Sequence, residues 1–162
     1  FWIKDRESPV ESESLPADAN VVLYTELRNT ALKQRASASQ GSCPYDLDVL
    51  YQFWSHFLIR NFNTSMYNEF RQLAHDDSSQ RSSSVGMSNL LKYYSEALSS
   101  QSDIRERIAR HYVELVAAES ADNGRPAFKQ LRAAWRNGAL NVKNRKKINM
   151  FIDASLRTSL EQ

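Results

Sequence analysis

The stretch LYQFWSHFLIRNFNTSMYNEFRQLA, from Leu50 to Ala74, decides how the chain is read. Leu50, Phe53, Trp54, Phe57 and Leu58 fall at i, i+3, i+4, i+7 and i+8, the spacing that gathers side chains on one stripe of an α-helix. Three large aromatics on that stripe predict a buried face. Asn63 and Thr64 interrupt the pattern with side chains able to accept from helix-end amides, after which Met66, Phe70, Leu73 and Ala74 repeat the spacing. The segment reads as a helical hairpin.

Upstream, Val22, Leu23, Leu27, Ala31 and Leu32 predict a first helix that starts at Asn20, is capped by Asp18 or Asn20, and ends in the Ser-rich segment after Gln34 and Arg35. Gly41 and Pro44 punctuate, proline being suited to a helix's first turn. Downstream, DDSSQRSSS reads as a solvated loop, followed by a fourth helix on Met87, Leu90, Leu91, Tyr94 and Leu98. Ser102 is the predicted cap of a fifth, carrying Ile104, Ile108, Tyr112, Leu115 and Val116. After ADNG, a sixth runs from Arg125 to Asn137 with Phe128, Leu131 and Trp135 inward and Gly138 in the left-handed closing position. Asn144 caps a seventh with Ile148, Phe151, Ile152 and Leu156. The expected fold is all-α with about seven helices. Its predicted core contains Phe53, Trp54, Phe57, Phe70, Leu91, Tyr94, Leu115, Phe128 and Trp135.

The anchors Phe53, Leu90 and Leu131 recur at roughly 40 residues, the period of helical-hairpin repeats. Repeats at about 45–80, 84–120 and 125–160 would stack into a short right-handed solenoid. Periodicity alone leaves a single non-repetitive bundle open. Residues 20–162 are taken as the helical-repeat domain. Residues 1–19 form an acidic, extended lead-in with Asp5, Glu7, Glu11, Glu13 and Asp18, whose Phe1, Trp2 and Ile3 are expected to dock on the body.

Composition excludes several classes. Of 162 residues, 41% are hydrophobic and 25% charged, too apolar for a wholly disordered chain. Four Gly and four Pro are few for the turns of a β-sandwich or barrel. A single Cys excludes an internal disulfide framework and agrees with a reducing compartment. Charged or amide residues break even the most apolar segment, around Phe53 to Phe62, so no membrane span is expected. The opening FWIKDRESP lacks Met and the order of a secretory signal, and reads as part of a longer protein.

Catalytic constellations are not found. The serines read as caps and loops rather than nucleophiles, and the glycines are too few and scattered for a phosphate cradle. His56, His75 and His111 lack a second ligand at helical spacing, so neither metal nor cofactor is expected. His75 beside Asp76 and Asp77 reads as a solvated helix end, and Cys43 as a loop thiol. The class is binding rather than enzymatic.

The distinctive signal is basic. The chain carries 21 Lys and Arg against 19 Asp and Glu, yet Gly124 to Ile152 holds no acid at all. Arg125, Lys129, Arg132 and Arg136 lie at i, i+4, i+7 and i+11, a column on one face of the sixth helix. Stacked like charges cost a few tenths of a kcal/mol per pair, roughly, and an anionic partner offsets that. Lys143, Arg145, Lys146 and Lys147 add a second patch. A merely solvated face remains the alternative at this stage.

The same words carry a family resemblance. Leu50–Ala74 resembles the first box of the C-terminal DM tandem-repeat domain of the La-related protein 1 family, LLKYYSEAL from Leu90 to Leu98 is similar to its second box, and RPAFKQLRAAWRNG matches the third in its hydrophobic anchors. The resemblance covers about the last two-thirds of the chain and implies HEAT-like hairpins. It also implies a groove that binds the 5′ cap and first nucleotides of pyrimidine-tract messages, with control of their translation. By that resemblance Lys92 matches the second box's RNA-directed basic residue and His56 replaces a stacking aromatic. The first box's basic positions fall at Gln52 and Ile59, the cap-sandwiching tyrosines at Glu96 and about Asn137, and the guanine-reading acid at Ser99. A cap pocket is therefore not expected, because two stacking faces are missing.

The resulting expectation is a divergent family member: a monomeric, cytoplasmic, RNA-binding module of a translational regulator. It contacts mRNA, including its 5′ end, and has a translation-related protein as a further partner. Lys92, His56 and the two basic patches are its candidate contacts. The rival is a protein–protein adaptor whose solenoid holds a peptide or an acidic partner.

Overall fold

The computed structural model describes the backbone of residues 17–162 and the side chains from Val21 onward, apart from Val22 and Asn123. These residues form eight α-helices: α1 Ala17–Ser37, α2 Tyr45–Arg60, α3 Thr64–Gln80, α4 Val85–Ser99, α5 Glu106–Ala118, α6 Pro126–Asn137, α7 Val142–Asn149 and α8 Ala154–Glu161. A 3₁₀ turn at Ala121–Asn123 precedes α6, and no strand occurs among the described residues. The all-α reading holds. The predicted docking of Phe1, Trp2 and Ile3 lies outside the described residues, but α1 begins at Ala17, so the last residues assigned to the lead-in are helical.

The chain divides into two compact units, residues 1–90 and 91–162, with the boundary inside α4. In the first, the predicted stripe of α2 forms the core. Leu50, Phe53, Trp54 and Leu58 are buried with Tyr67, Phe70 and Ala74 of α3. Trp54 stacks on Phe70 at 5.5 Å and donates its indole N–H to the Tyr24 hydroxyl of α1 at 3.1 Å. Asn63 caps α3 as expected, accepting from Met66 N at 3.0 Å.

The segment read as a solvated loop is different. α3 continues to Gln80, and Asp77 within DDSSQRSSS is fully buried. Its carboxylate accepts from the Tyr51 hydroxyl at 2.5 Å and from Arg35 Nε at 2.8 Å, with Arg81 Nη1 3.5 Å away. Its carbonyl accepts from the amides of Arg81 and Ser83. A buried charge survives only when so surrounded. Burial, and then the adjacent carboxylate, push the Tyr51 phenol far above its ordinary range, which keeps it a donor.

In the second unit Tyr93, Tyr94 and Leu98 of α4, Ile108, Tyr112 and Val116 of α5, and Leu131 and Trp135 of α6 are buried. Tyr94 stacks on Tyr112 at 5.1 Å. Four sequence expectations change. Ser102 is no cap, since α5 starts at Glu106 with Arg105 before it. The seventh helix is two short ones, broken where Asp153 caps α8 by accepting from Leu156 N. Asn144 is not a cap but a buried plug, that role belonging to Asn141, which accepts from Asn144 N at 2.8 Å. The Asn144 amide accepts from Ile104 N and donates to the carbonyls of Leu98, Ser100 and Ser102, closing the α4–α5 loop. Phe57, Leu115 and Phe128 are half-buried rather than core, because each sits at the margin of its helix's apolar stripe.

Candidate nucleic-acid interface

α6 carries the basic column, and its ends are fixed by local chemistry. Gly124 and Arg125 enter the left-handed region at φ +80° and +52°, and Pro126 opens the helix. The Glu119 carboxylate accepts from the amides of Ala127 at 2.6 Å and Phe128 at 2.8 Å, so this helix N-terminus already holds its anion. Gly138 closes the helix at φ +75°, as its position predicts. In the middle, Gln130 donates to both the Tyr112 hydroxyl and Leu91 O at 2.9 Å, and Tyr112 donates to Ala127 O at 3.3 Å. That chain of bonds ties α6 to α5 and to the stretch of α4 that bears Lys92. Burial raises the Tyr112 phenol well above its ordinary range, so it stays protonated within the chain.

The four members of the column have different surroundings. Arg125 lays its guanidinium carbon 3.9 Å over the ring of Phe128. Lys129 is exposed. Arg132 is half-buried, with a buried Nε that has no hydrogen-bond partner. Exposed Arg136 donates from Nη1 to Gln162 O at 2.9 Å. At about 100° per residue the four stay within about 60° of one another, with half-buried Arg125 and Arg132 on the side nearer Trp135 and exposed Lys129 and Arg136 on the side away from it.

The second patch divides in the same way. Lys143 is exposed, 4.0 Å from Asp103, and Lys146 is exposed. Lys147 instead reaches inward and donates to Ile104 O at 2.7 Å. Arg145 covers the Trp135 ring, its guanidinium carbon 3.9 Å from the centroid, and donates to Trp135 O at 3.0 Å. Lys92 is exposed on α4, with neither hydrogen bond nor ion pair among the described residues. His56 is exposed on α2 and belongs to the first unit.

Sequence reasoning did not find Glu119 or Gln130, whose roles depend on contacts no spacing encodes. It also passed over Arg157, which follows Asp153 and so lies outside the acid-free run. Among the described residues, no group of three or more His, Cys, Asp and Glu is placed to hold a metal ion, and no helix is long and apolar enough to cross a membrane.

The pattern that defines the LARP1 HEAT repeat region matches residues 13–160. The chain belongs to the LARP1 HEAT repeat family. The matched residues run from α1 through α7 and most of α8. On this LARP1-type scaffold Glu96 is half-buried, and the Asn137 side chain accepts from Ala139 N at 3.0 Å beyond the end of α6. Ser99 and Gln52 are exposed, and Ile59 is half-buried.

Proposed function

We propose that this chain is an RNA-binding module of a cytoplasmic La-related translational regulator, acting by binding rather than catalysis and contacting single-stranded mRNA through the second unit. The observation that carries the reading is the distribution of cations there. Lys92, Lys129, Lys143 and Lys146 stand in solvent, on or beside a 29-residue stretch without a single acid, Gly124 to Ile152. Lysines on rigid helices follow a phosphate backbone without reading bases. Arg125, Arg132 and Arg136 complete the contact surface, and Arg145 and Lys147 hold its shape. His56 is a separate candidate stacking contact on the first unit.

Cap discrimination is absent from the proposal. The positions that correspond to the stacking tyrosines are Glu96 and about Asn137, and neither side chain offers a π face to a methylated guanine. Pyrimidine-rich RNA should bind with an affinity that falls linearly on logarithmic axes as salt rises, by about 0.7 per phosphate contacted. Capped and uncapped oligomers should bind alike. Affinity that ignores salt would oppose the reading and favour the adaptor alternative, and tight methyl-dependent binding would show that a cap pocket exists after all.

A further inference from the structure

A cleft of ≈ 330 Å³ opens in the second unit where the end of α6 meets α7 and α8. Trp135, Arg145, Lys146, Asn149, Arg157 and Glu161 line it, so three cations face one carboxylate. Two of the cations are fixed in advance. Arg145 is held against the face and carbonyl of Trp135, and Arg157 donates from Nε and Nη2 to Asn149 Oδ1 at 3.0 and 2.7 Å. Lys146 has no hydrogen bond or ion pair among the described residues. Trp135 is only 6% exposed, and its indole N–H is buried without an acceptor. Because Arg145 lies on its ring, the Trp135 indole reports on whatever engages that guanidinium.

We propose that this cleft binds a phosphomonoester carried on a nucleotide-sized ligand. The lining's surplus of two positive charges matches a group that carries roughly −1.5 to −2 at pH 7, better than a carboxylate or an internal phosphodiester. Preset guanidinium forks suit phosphate oxygens in particular. The volume lies within the range of small-molecule sites, well beyond one tetrahedral anion. Val142, 69% exposed on the same lining, offers an apolar lip for a base or sugar. Glu161 sets the direction: it repels the phosphate toward Arg145 and Lys146 and accepts from hydroxyl or ring N–H groups at the other end. A free nucleotide and the phosphorylated end of an RNA strand share this chemistry. Lys146 belongs to both the lining and the RNA surface, whereas Arg157 belongs to the lining alone, so Arg157→Gln tests the cleft apart from the RNA surface.

The test follows the indole N–H signals of the whole chain by ¹H–¹⁵N NMR, with Trp135→Phe identifying the signal of Trp135. Uridine 5′-monophosphate should move that signal saturably, and uridine or inorganic phosphate should bind at least tenfold more weakly. Lys146→Glu and Arg157→Gln should each weaken the nucleotide by tenfold or more while leaving the remaining spectrum in place. Oligouridine with a 5′-phosphate binding tenfold tighter than its 5′-hydroxyl counterpart would identify the ligand as an RNA end; equal affinities, beside a saturable monophosphate, would identify a free nucleotide. A Trp135 signal unmoved by millimolar monophosphate and by the phosphorylated oligomer would overturn the proposal. So would uridine or inorganic phosphate matching the monophosphate, or both variants binding unchanged. A monophosphate that binds while RNA does not would retire the RNA reading and leave the cleft standing.

Discussion

The two units handle charge in opposite ways. Residues 1–90 carry eight Lys and Arg against eleven Asp and Glu, a formal −3, whereas residues 91–162 carry thirteen against eight, a formal +5. The first unit turns arginines onto its own carboxylates: Arg28 grips Glu69 through two bonds of 2.7 and 2.6 Å, and Arg35 and Arg81 flank buried Asp77. The second does its buried polar work with the uncharged groups Asn144, Gln130 and Tyr112. Among its cations, Arg125 and Arg145 lie over aromatic rings, Lys147 donates to a loop carbonyl, and Lys92, Lys129 and Lys146 stand in solvent. Where internal pairing consumes charge, little remains for a partner; where amides replace it, the surplus faces outward.

The sharpest way to break this comparison is to remove each unit's central polar group. Asp77→Ala strands Arg35 and Arg81 around a void and should cost about 3–5 kcal/mol. Asn144→Ala unpairs Ile104 N and three loop carbonyls and should cost on the order of 2–4 kcal/mol. Denaturant melts at several salt concentrations check both. The Asp77 loss should change with ionic strength and the Asn144 loss should not; matching salt responses would erase the distinction between the units.

Gly86→Ala probes how firmly Asp77 holds its surroundings. A Cβ at that position would lie 2.6 Å from Tyr51 Cζ, and Tyr51 is tethered through its hydroxyl to Asp77. The ring cannot swing aside without breaking that bond, so a loss of about 1–3 kcal/mol is expected. A neutral result in a thermal melt would mean that the network yields.

A smaller effect concerns Cys43. Burial, reinforced by the charges of Asp48 and Asp77, pushes its thiol up to about 11 from an ordinary 9.0. Because the folded value is raised, this contribution to stability is complete below about pH 9 and is lost as pH climbs through about 11. Native alkylation should stay slow at pH 8, where roughly one thiol in a thousand is ionised. Fast native alkylation at pH 8 would place Cys43 outside this electrostatic field.

Much of the fold was legible because the hydrophobic stripes of α2, α3 and α6 follow helical spacing closely, and Gly138 and Asn63 signal their ends chemically. The first box of LYQFWSHF was enough to reveal the family. What escaped has a common cause: partners far apart in sequence. DDSSQRSSS looks solvated until Arg35, forty-two positions away from Asp77, folds onto it. Asn144 looks like a cap because asparagine usually is one, yet its partners lie in a loop forty or more positions earlier. The basic column was found as a pattern, but treating it as one face hides that Lys129 stays in solvent while Arg132 turns partly inward. The α6–α8 cleft had no sequence signal, since Trp135 read only as core and Arg157 lay beyond the acid-free run.

The central claim, that anion binding resides in the second unit, is tested most directly by two double variants with the same change in net charge. Lys92→Glu with Lys129→Glu alters exposed cations of the second unit, and Lys33→Glu with Arg60→Glu alters exposed cations of the first. Fluorescence anisotropy with a pyrimidine-rich single-stranded RNA, at several salt concentrations and with folding checked by circular dichroism, compares them. The second-unit variant should lose tenfold or more in affinity and show a salt slope reduced by about 1.4, two contacts' worth, while the first-unit variant stays within about twofold. Equal losses in the two variants would mean that total charge rather than the second unit governs binding, and would contradict the account.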